Sequence, residues 1–368
     1  MANTLDLSQD KLVFDQEFNS ASSLSLRSSS NPNGVFDTTY NNNLHSLPSN
    51  GEKEYYVSAD QFGSMGVDPF SVNNGHLTIA ANPTPSSASS QTGGLPYTSG
   101  LLTTQHSFSQ TYGIFQMTAQ LPAGQGLWPA FWMLPTDNSW PPEIDVVEAL
   151  GNNMTQLYTS THSTATSPSG ITKANTVADM SNGYHTYTVD WEPNTITYYY
   201  DGQEVYQIAT PADMHKPMYM LANLAVGGGW PGDPNSSTHF PADMNIASIQ
   251  AYATANTIPS VNTTTLPSTT HVTTTQPPTT TTPAPTSSSS TPTPTPTHTP
   301  TPTPTPTPVT VQNPTPTPTP TPIPMPGASS GSSDSCHGMG HADVLHITDL
   351  TQLVSELHHL ASLFNHWS

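Results

Sequence analysis

From Thr291 to Pro322 the chain is largely threonine alternating with proline, in two tracts separated by Val309–Asn313. Proline fixes φ and removes a backbone donor, so this stretch can form neither a helix nor the interior of a sheet. It is predicted to be an extended polyproline II spacer, and at ~3.1 Å per residue the tracts could span on the order of 100 Å. A passive tether is the plainest reading; a glycosylated stalk or a docking site is the alternative. Any packed fold must therefore end where the Thr/Ser/Pro composition begins. The predicted organisation is a folded domain over 1–255, a disordered Thr/Pro linker over 256–335 and a tail over 336–368.

Composition agrees with a chain that is only partly globular. Of 368 residues, 33% are hydrophobic and 8% charged, with 39 Pro, against about 25% charged in an average domain. Five Lys and Arg against a net charge of −20 leave no basic face to neutralise phosphates or lie on an anionic bilayer, which excludes nucleic-acid and membrane-surface functions. The single Cys336 cannot form an intrachain disulfide. The N-terminal run Met1–Phe18 has no basic segment followed by an apolar one, and no run approaches the ~20 apolar residues of a membrane span.

Before Ala255 the chain is punctuated by Gly, Pro, Asn and Ser, and between these lie short aromatic and β-branched runs: 76–80, 111–120, 184–191, 195–200 and 218–226. Tyr187, Val189 and Trp191 alternate in the strand period, and Asp201-Gly202 after 197–200 is a hairpin signal. Helical periodicity is scarce. The fold class is all-β, a sandwich of about 250 residues. In the tail, Ile347, Leu350, Leu353, Val354, Leu357, Leu360, Ala361 and Phe364 recur at three and four, which predicts a short amphipathic helix that self-associates or docks on a partner. Cys336, His337, His341, His346, His358, His359 and His366 do not match the spacing of a closed zinc site, and no metal is assigned to them.

The densest chemistry lies in Trp140–Glu148 (WPPEIDVVE), where three carboxylates occupy six apolar-flanked positions. On a regular strand Glu143 and Asp145 share a face and Glu148 points to the other. A β-bulge near Val146 or Val147 would return Glu148 to their side, with Glu143 and Glu148 four effective steps, about 13 Å of backbone, apart. Side chains leaning together from there can approach the ~5 Å carboxyl separation of a retaining glycosidase. The bland alternative is a solvated strand face whose charges discourage edge pairing.

The surrounding motifs favour the first reading. Glu52–Tyr56 (EKEYY), Tyr112-Gly113, Gly126–Leu134 (GLWPAFWML), the EIDVVE run, His162, Tyr184–Trp191 and Asn223–Trp230 (NLAVGGGW) occur in that order. Together they resemble glycoside hydrolase family 16 over nearly all of residues 10–252, and within it the laminarinases and the bacterial endoglycanases that trim exopolysaccharides. The resemblance implies a concanavalin-like jelly-roll sandwich of two curved antiparallel sheets with a glycan lying across one face. It further implies Glu143 as nucleophile, Glu148 as general acid/base and Asp145 as the residue that hydrogen-bonds the nucleophile.

By position in the same pattern, Trp128, Trp140 and Trp230 are substrate-binding cleft walls. Trp132 and Trp191 are core. His162 contributes to substrate contact or a proton network, or else packs, and His185 is structural. The chain departs from the family pattern in three places. Pro142 replaces the Gly before the first catalytic acid. Ile114 replaces an Arg after the Tyr-Gly pair, which removes a polar substrate contact. A structural calcium would use Glu17 and an acid on the last strand, where Ala247 stands, so no cofactor or metal is assigned.

The function expected is a retaining endo-β-glycanase acting on β-1,3 or mixed β-1,3-1,4 glucan or a related exopolysaccharide. A lectin-like module or a transglycosylase are the alternatives. A glucan polymer cannot cross a membrane intact, so the expected place of action is extracellular, reached without an N-terminal signal.

Overall fold

Wherever the sequence sets aromatic and β-branched residues between turn formers, the chain runs as a strand. The computed structural model describes residues 3–166 and 170–259, and eighteen strands lie among them. The first six are β1 (Lys11–Glu17), β2 (Glu54–Tyr56), β3 (Phe70–Asn73), β4 (His76–Pro83), β5 (Tyr97–Ser99) and β6 (Leu101–Thr103). Next come β7 (Gln110–Thr111), β8 (Gly113–Gln120), β9 (Leu127–Pro135), β10 (Glu143–Ala149), β11 (Gln156–His162) and β12 (Ile171–Thr176). The last are β13 (His185–Trp191), β14 (Thr195–Tyr200), β15 (Gln203–Ala209), β16 (Met218–Val226), β17 (Ala242–Ala253) and β18 (Ile258–Pro259). The one α-helix among the described residues is the single turn α1 (Phe62–Met65), too short to cross a membrane.

The strands form a ten-stranded sheet in the order β15-β14-β13-β8-β17-β4-β5-β2, with β1 on β17 and β3 on β4, and an eight-stranded sheet in the order β12-β11-β10-β9-β16-β7-β18, with β6 on β16. This is the expected all-β jelly roll. The Asp201-Gly202 turn joins β14 to β15, with both residues at positive φ (49° and 72°), the conformation of a primed hairpin turn. One pairing differs from a purely antiparallel sandwich: β2 runs parallel to β5. The segment leading to β2 passes the other sheet, where Asp37 bridges Thr103 of β6. Between β5 and β6 the chain passes from one sheet to the other at Gly100, where a Cβ would lie 2.7 Å from Phe70 and 2.9 Å from Ile79.

The main core lies between the sheets. From the eight-stranded sheet it takes Phe131, Met133, Ile144, Val146, Val147, Met220 and Leu224, and from the other Phe14, Ile79, Phe115, Met117, Tyr187, Val189 and Trp191. Each such side chain contributes roughly 1.5–3 kcal/mol by leaving water. Trp191 is fully buried there, as its alternation with Tyr187 and Val189 predicts. Because Phe131 and Met133 face this core, pleat parity sends Trp128, Ala130 and Trp132 to the opposite face of the same strand. Trp132 is buried, as expected of a core residue, but on the outer side of its sheet rather than between the sheets. It belongs to a second cluster with Tyr40, Tyr56, Leu101, Tyr219 and Leu221, where the loop before β2 covers one end of the outer face.

Glu17, the candidate first calcium ligand, lies in register with Ser248, and its carboxylate accepts a hydrogen bond from Asn19. Ala247 beside Ser248 offers no side-chain oxygen, so this donor set does not fit a calcium site, which needs six to eight oxygens. Strand pairing continues past 255 to Pro259, where β18 pairs with β7. The Thr/Pro linker and the tail helix lie outside the described residues.

Candidate active site

The outer face of β10 carries the acids. Against β11, Glu143 pairs with His162, Asp145 with Ser160 and Glu148 with Tyr158, so three residues of β10 span two of β11 between Asp145 and Glu148. Against β9 the slip falls between Asp145 and Val147, which identifies Val146 as the extra residue. Val146 and Val147 both drop into the core, and Glu148 returns to the face of Glu143 and Asp145. The bulge that the count of residues predicts is present, and it re-aims one side chain beside a site in the usual manner.

Each acid has a specific neighbour. Trp140 Nε1 donates to Glu143 Oε2 at 2.9 Å. His162 Nε2 lies 3.0 Å from Asp145 Oδ2 and 3.6 Å from Glu143 Oε1. Trp128 Nε1 donates to Glu148 Oε1 at 3.2 Å, and Ser160 Oγ lies 3.5 Å from the other oxygen. Trp230 stands edge-on to Trp128, with ring centres 5.3 Å apart, and to Tyr158 at 4.8 Å. All seven residues that the sequence singles out thus meet around one strand. His185 is elsewhere, between Asp201 and the ring of Tyr200 on the ten-stranded sheet.

Burial governs the electrostatics. Loss of water, and then the charge of Asp145, raise the Glu143 carboxyl to about 8, against the pull of His162 and the Trp140 N–H. The same two causes, with the charge of Glu143 added, push Glu148 well above the usual carboxylate range. Each carboxyl is raised by the charge of its neighbours, so ionisation of Glu143 favours the protonated form of Glu148. For His162 burial opposes the charged form, yet the contact with Asp145 and the charges of Glu143, Asp145 and Glu148 outweigh it and raise the imidazole to about 10. Donor atoms of Glu143, Asp145 and His162 all lie within 4.8 Å of one another, a spacing a divalent cation could use. Ligation would require the imidazole to give up a proton that these same carboxylates favour.

Several residues of the site escape sequence reasoning. Tyr158 and Ser160 share the face of His162 on β11, which simple alternation back from His162 could have found. Asn223 accepts from Trp132 Nε1 at 2.7 Å and donates to the Tyr56 hydroxyl at 2.9 Å. Tyr40 sits edge-on to Trp132 and Tyr56. Tyr56 and Asn223 stand in motifs the sequence shows, but these partners come from segments far apart in the chain, and nothing local announces that they meet.

A strand face with paired buried carboxyls flanked by indoles, on a two-sheet sandwich, defines a protein of the glycosidase type. The model of the glycosyl hydrolases family 16 matches residues 58–248, and the chain belongs to that family. It is 43% identical over 257 residues to the endo-1,3-1,4-beta-glycanase ExsH of Rhizobium meliloti (strain 1021), an alignment covering 68% of this chain and 54% of that protein. It is 41% identical over 256 residues to EglC of the same organism, with the same coverage. The chain thus spans about half the length of the curated relatives it matches. Among solved structures, the laminarinase catalytic domain of Thermotoga maritima MSB8 is similar with a TM-score of 0.56 and 28% identity, over 68% of this chain and all of that one.

Proposed function

We propose that the protein is a retaining endo-β-glycanase that hydrolyses β-1,3 or mixed β-1,3-1,4 glucan, or a related bacterial exopolysaccharide, outside the cell. The observation that carries this reading is the register slip at Val146, which turns Glu148 to the side of Glu143. Glu143 attacks the anomeric carbon while Glu148 donates its proton to the departing glycosidic oxygen, leaving a glycosyl ester on Glu143. Ester formation removes the Glu143 charge, and with it one of the forces that kept Glu148 protonated. Glu148 then takes a proton from water, whose oxygen displaces Glu143 and regenerates both groups. Asp145 and His162 orient the nucleophile, the cation offsetting its charge. Trp128, Trp140 and Trp230 stack on the apolar C–H faces of the sugar rings.

Incubation with laminarin, lichenan and a succinoglycan-like polymer, with reducing ends counted and products sized, tests the proposal. The expected outcome is new reducing ends of retained configuration, mid-chain products, and a loss of roughly 10⁴-fold in kcat for Glu143→Gln with binding preserved. Tight binding without new ends from any polymer would mark a lectin-like module, and products longer than the input a transglycosylase.

A further inference from the structure

Glu52 and Glu54 are 6% and 0% exposed, and the chemistry above uses neither. Successive residues of an extended chain point to opposite sides, so Lys53 between them faces away, with its Nζ 2.6 Å from Asp233. No lysine or arginine among the described residues reaches the pair. What faces it are the phenols of Tyr40 and Tyr56, and beyond them His45, whose Nδ1 meets the Tyr56 carbonyl. From β16, Val226 and Asn223 bring no titratable group.

The bonds of the two acids run to two loops that meet at the cleft. Glu54 Oε2 accepts the backbone N–H of Val226 at 2.7 Å, and Val226 ends β16. Glu52 accepts the Leu47 N–H at 3.1 Å and the Asn50 amide at 3.0 Å. The Asn50 carbonyl accepts the Gly229 N–H at 2.9 Å, and the Val226 carbonyl accepts the Lys53 N–H at 2.8 Å. A side chain at Gly228 would come within 2.9 Å of the Asn50 carbonyl, so the loops touch backbone to backbone, and Trp230 follows directly. Glu52 and Glu54, two residues apart on the extended chain, lie on the same side of it, and Glu54 Oε1 is buried with no hydrogen-bond partner, a place that a proton bonding it to the neighbouring Glu52 carboxyl would fill. Two carboxyls can bond in this way only when one carries a proton.

We propose that Glu52 and Glu54 hold one proton between them, and that this shared proton locks the turn 227–230 in place and so sets the affinity of the cleft for glycan. They are positioning residues, acting through Trp230, and the proposal rests on the reading of that indole as a glycan-binding wall. Burial raises both carboxyls, and the charge of Glu52 adds to the rise at Glu54, which stands well above its ordinary range. Loss of the proton at alkaline pH leaves two buried anions with no cation near them, and the least costly relief is separation of the loops.

The test uses the full chain carrying Glu143→Gln and a laminarin-derived hexasaccharide, with binding measured at about pH 6 and about pH 9. The expected loss of affinity across that span is on the order of tenfold. Adding Glu54→Gln should reduce it to less than about twofold, because the amide can donate to Glu52, accept from Val226 and lose no proton. An equal loss with and without Glu54→Gln overturns the proposal. Glu52→Gln serves as the second variant should the first not fold. Amide exchange at Val226 and Gly229 without glycan, corrected for intrinsic rate, gives a readout independent of substrate: protection should fall with pH in the parent and hold in the Gln variant. A pH-independent protection overturns the lock by itself, whereas failure of the hexasaccharide to bind at either pH, with the exchange behaving as expected, overturns the glycan reading instead.

Discussion

At the scale of single residues, the acids were legible because carboxylates are expensive in an apolar strand, and Glu143, Asp145 and Glu148 stand out against a chain with 8% charged residues. Their electrostatic setting has a consequence for stability. A carboxyl whose folded pKa is raised stabilises the fold fully below its unfolded value, near 4.3, and that contribution is lost as pH climbs through the folded value. For Glu143 the window runs from there to about 8. His162, raised to about 10, contributes stability that is complete below its unfolded value and is lost as pH rises through about 10, so both groups weaken the fold on the alkaline side. Glu143→Gln mimics the protonated acid at every pH. Its melting temperature relative to the parent should therefore rise between about pH 6 and about pH 9, which calorimetry at the two values checks. A flat difference would mean that the Glu143 site does not penalise charge. Trp132 was legible as a core residue, but not which core it joins: β9 is buried on both faces, so burial does not alternate along it, and only the parity fixed by its neighbours assigns it to the cluster with Tyr40 and Tyr56.

At the scale of the element, the extra residue in β10 was countable from the sequence, since acids at 143, 145 and 148 cannot all fall on one face of a regular strand. The neighbours that the bulge selects were not countable. They depend on which strands flank β10, and pairing partners so far apart in the chain follow from the whole topology. Parity makes a specific prediction here. With Val146 deleted, the run Glu143-Ile144-Asp145 is followed by one core-facing valine and then the third acid. That strand is regular and still presents all three carboxyls to the cleft opposite His162, Ser160 and Tyr158. The deletion should lower stability by roughly 1–3 kcal/mol through the lost buried valine. Activity should fall by less than about 10²-fold, far short of the roughly 10⁴-fold expected of Glu148→Gln. Hydrolysis rates and denaturant midpoints for the two variants decide it. Deletion as damaging to catalysis as Glu148→Gln, in a chain that still folds, would show that the bulge does more than restore parity.

At the scale of the whole molecule, strand pairing among the described residues runs to Pro259, a few residues past the point where composition changes. Those residues hold the domain edge. Asn256 Nδ2 donates to the Glu192 carboxylate at 2.6 Å, Thr257 Oγ1 approaches the Tyr112 carbonyl at 3.4 Å, and β18 pairs with β7. Composition could not register them because Thr and Ile suit an edge strand and a linker equally well, and only the partner decides. Two truncations separate the roles of these segments. A chain ending at Pro259 keeps every strand described, and its kcat on soluble glucan and its melting temperature should match those of the full chain. A chain ending at Ala255 loses the bond to Glu192, the β18 pairing and the cover over Tyr112, whose ring packs edge-on to Trp191 at 5.2 Å. With roughly 1 kcal/mol for each hydrogen bond lost, the cost should be about 2–3 kcal/mol, read as a lower denaturant midpoint at unchanged slope. Because β18 lies at the far edge of the eight-stranded sheet, with β9, β16 and β7 between it and β10, kcat at temperatures well below melting should not change. A fall in kcat that accompanies the shorter truncation at such temperatures would mean that the domain edge and the catalytic strand are coupled through the core.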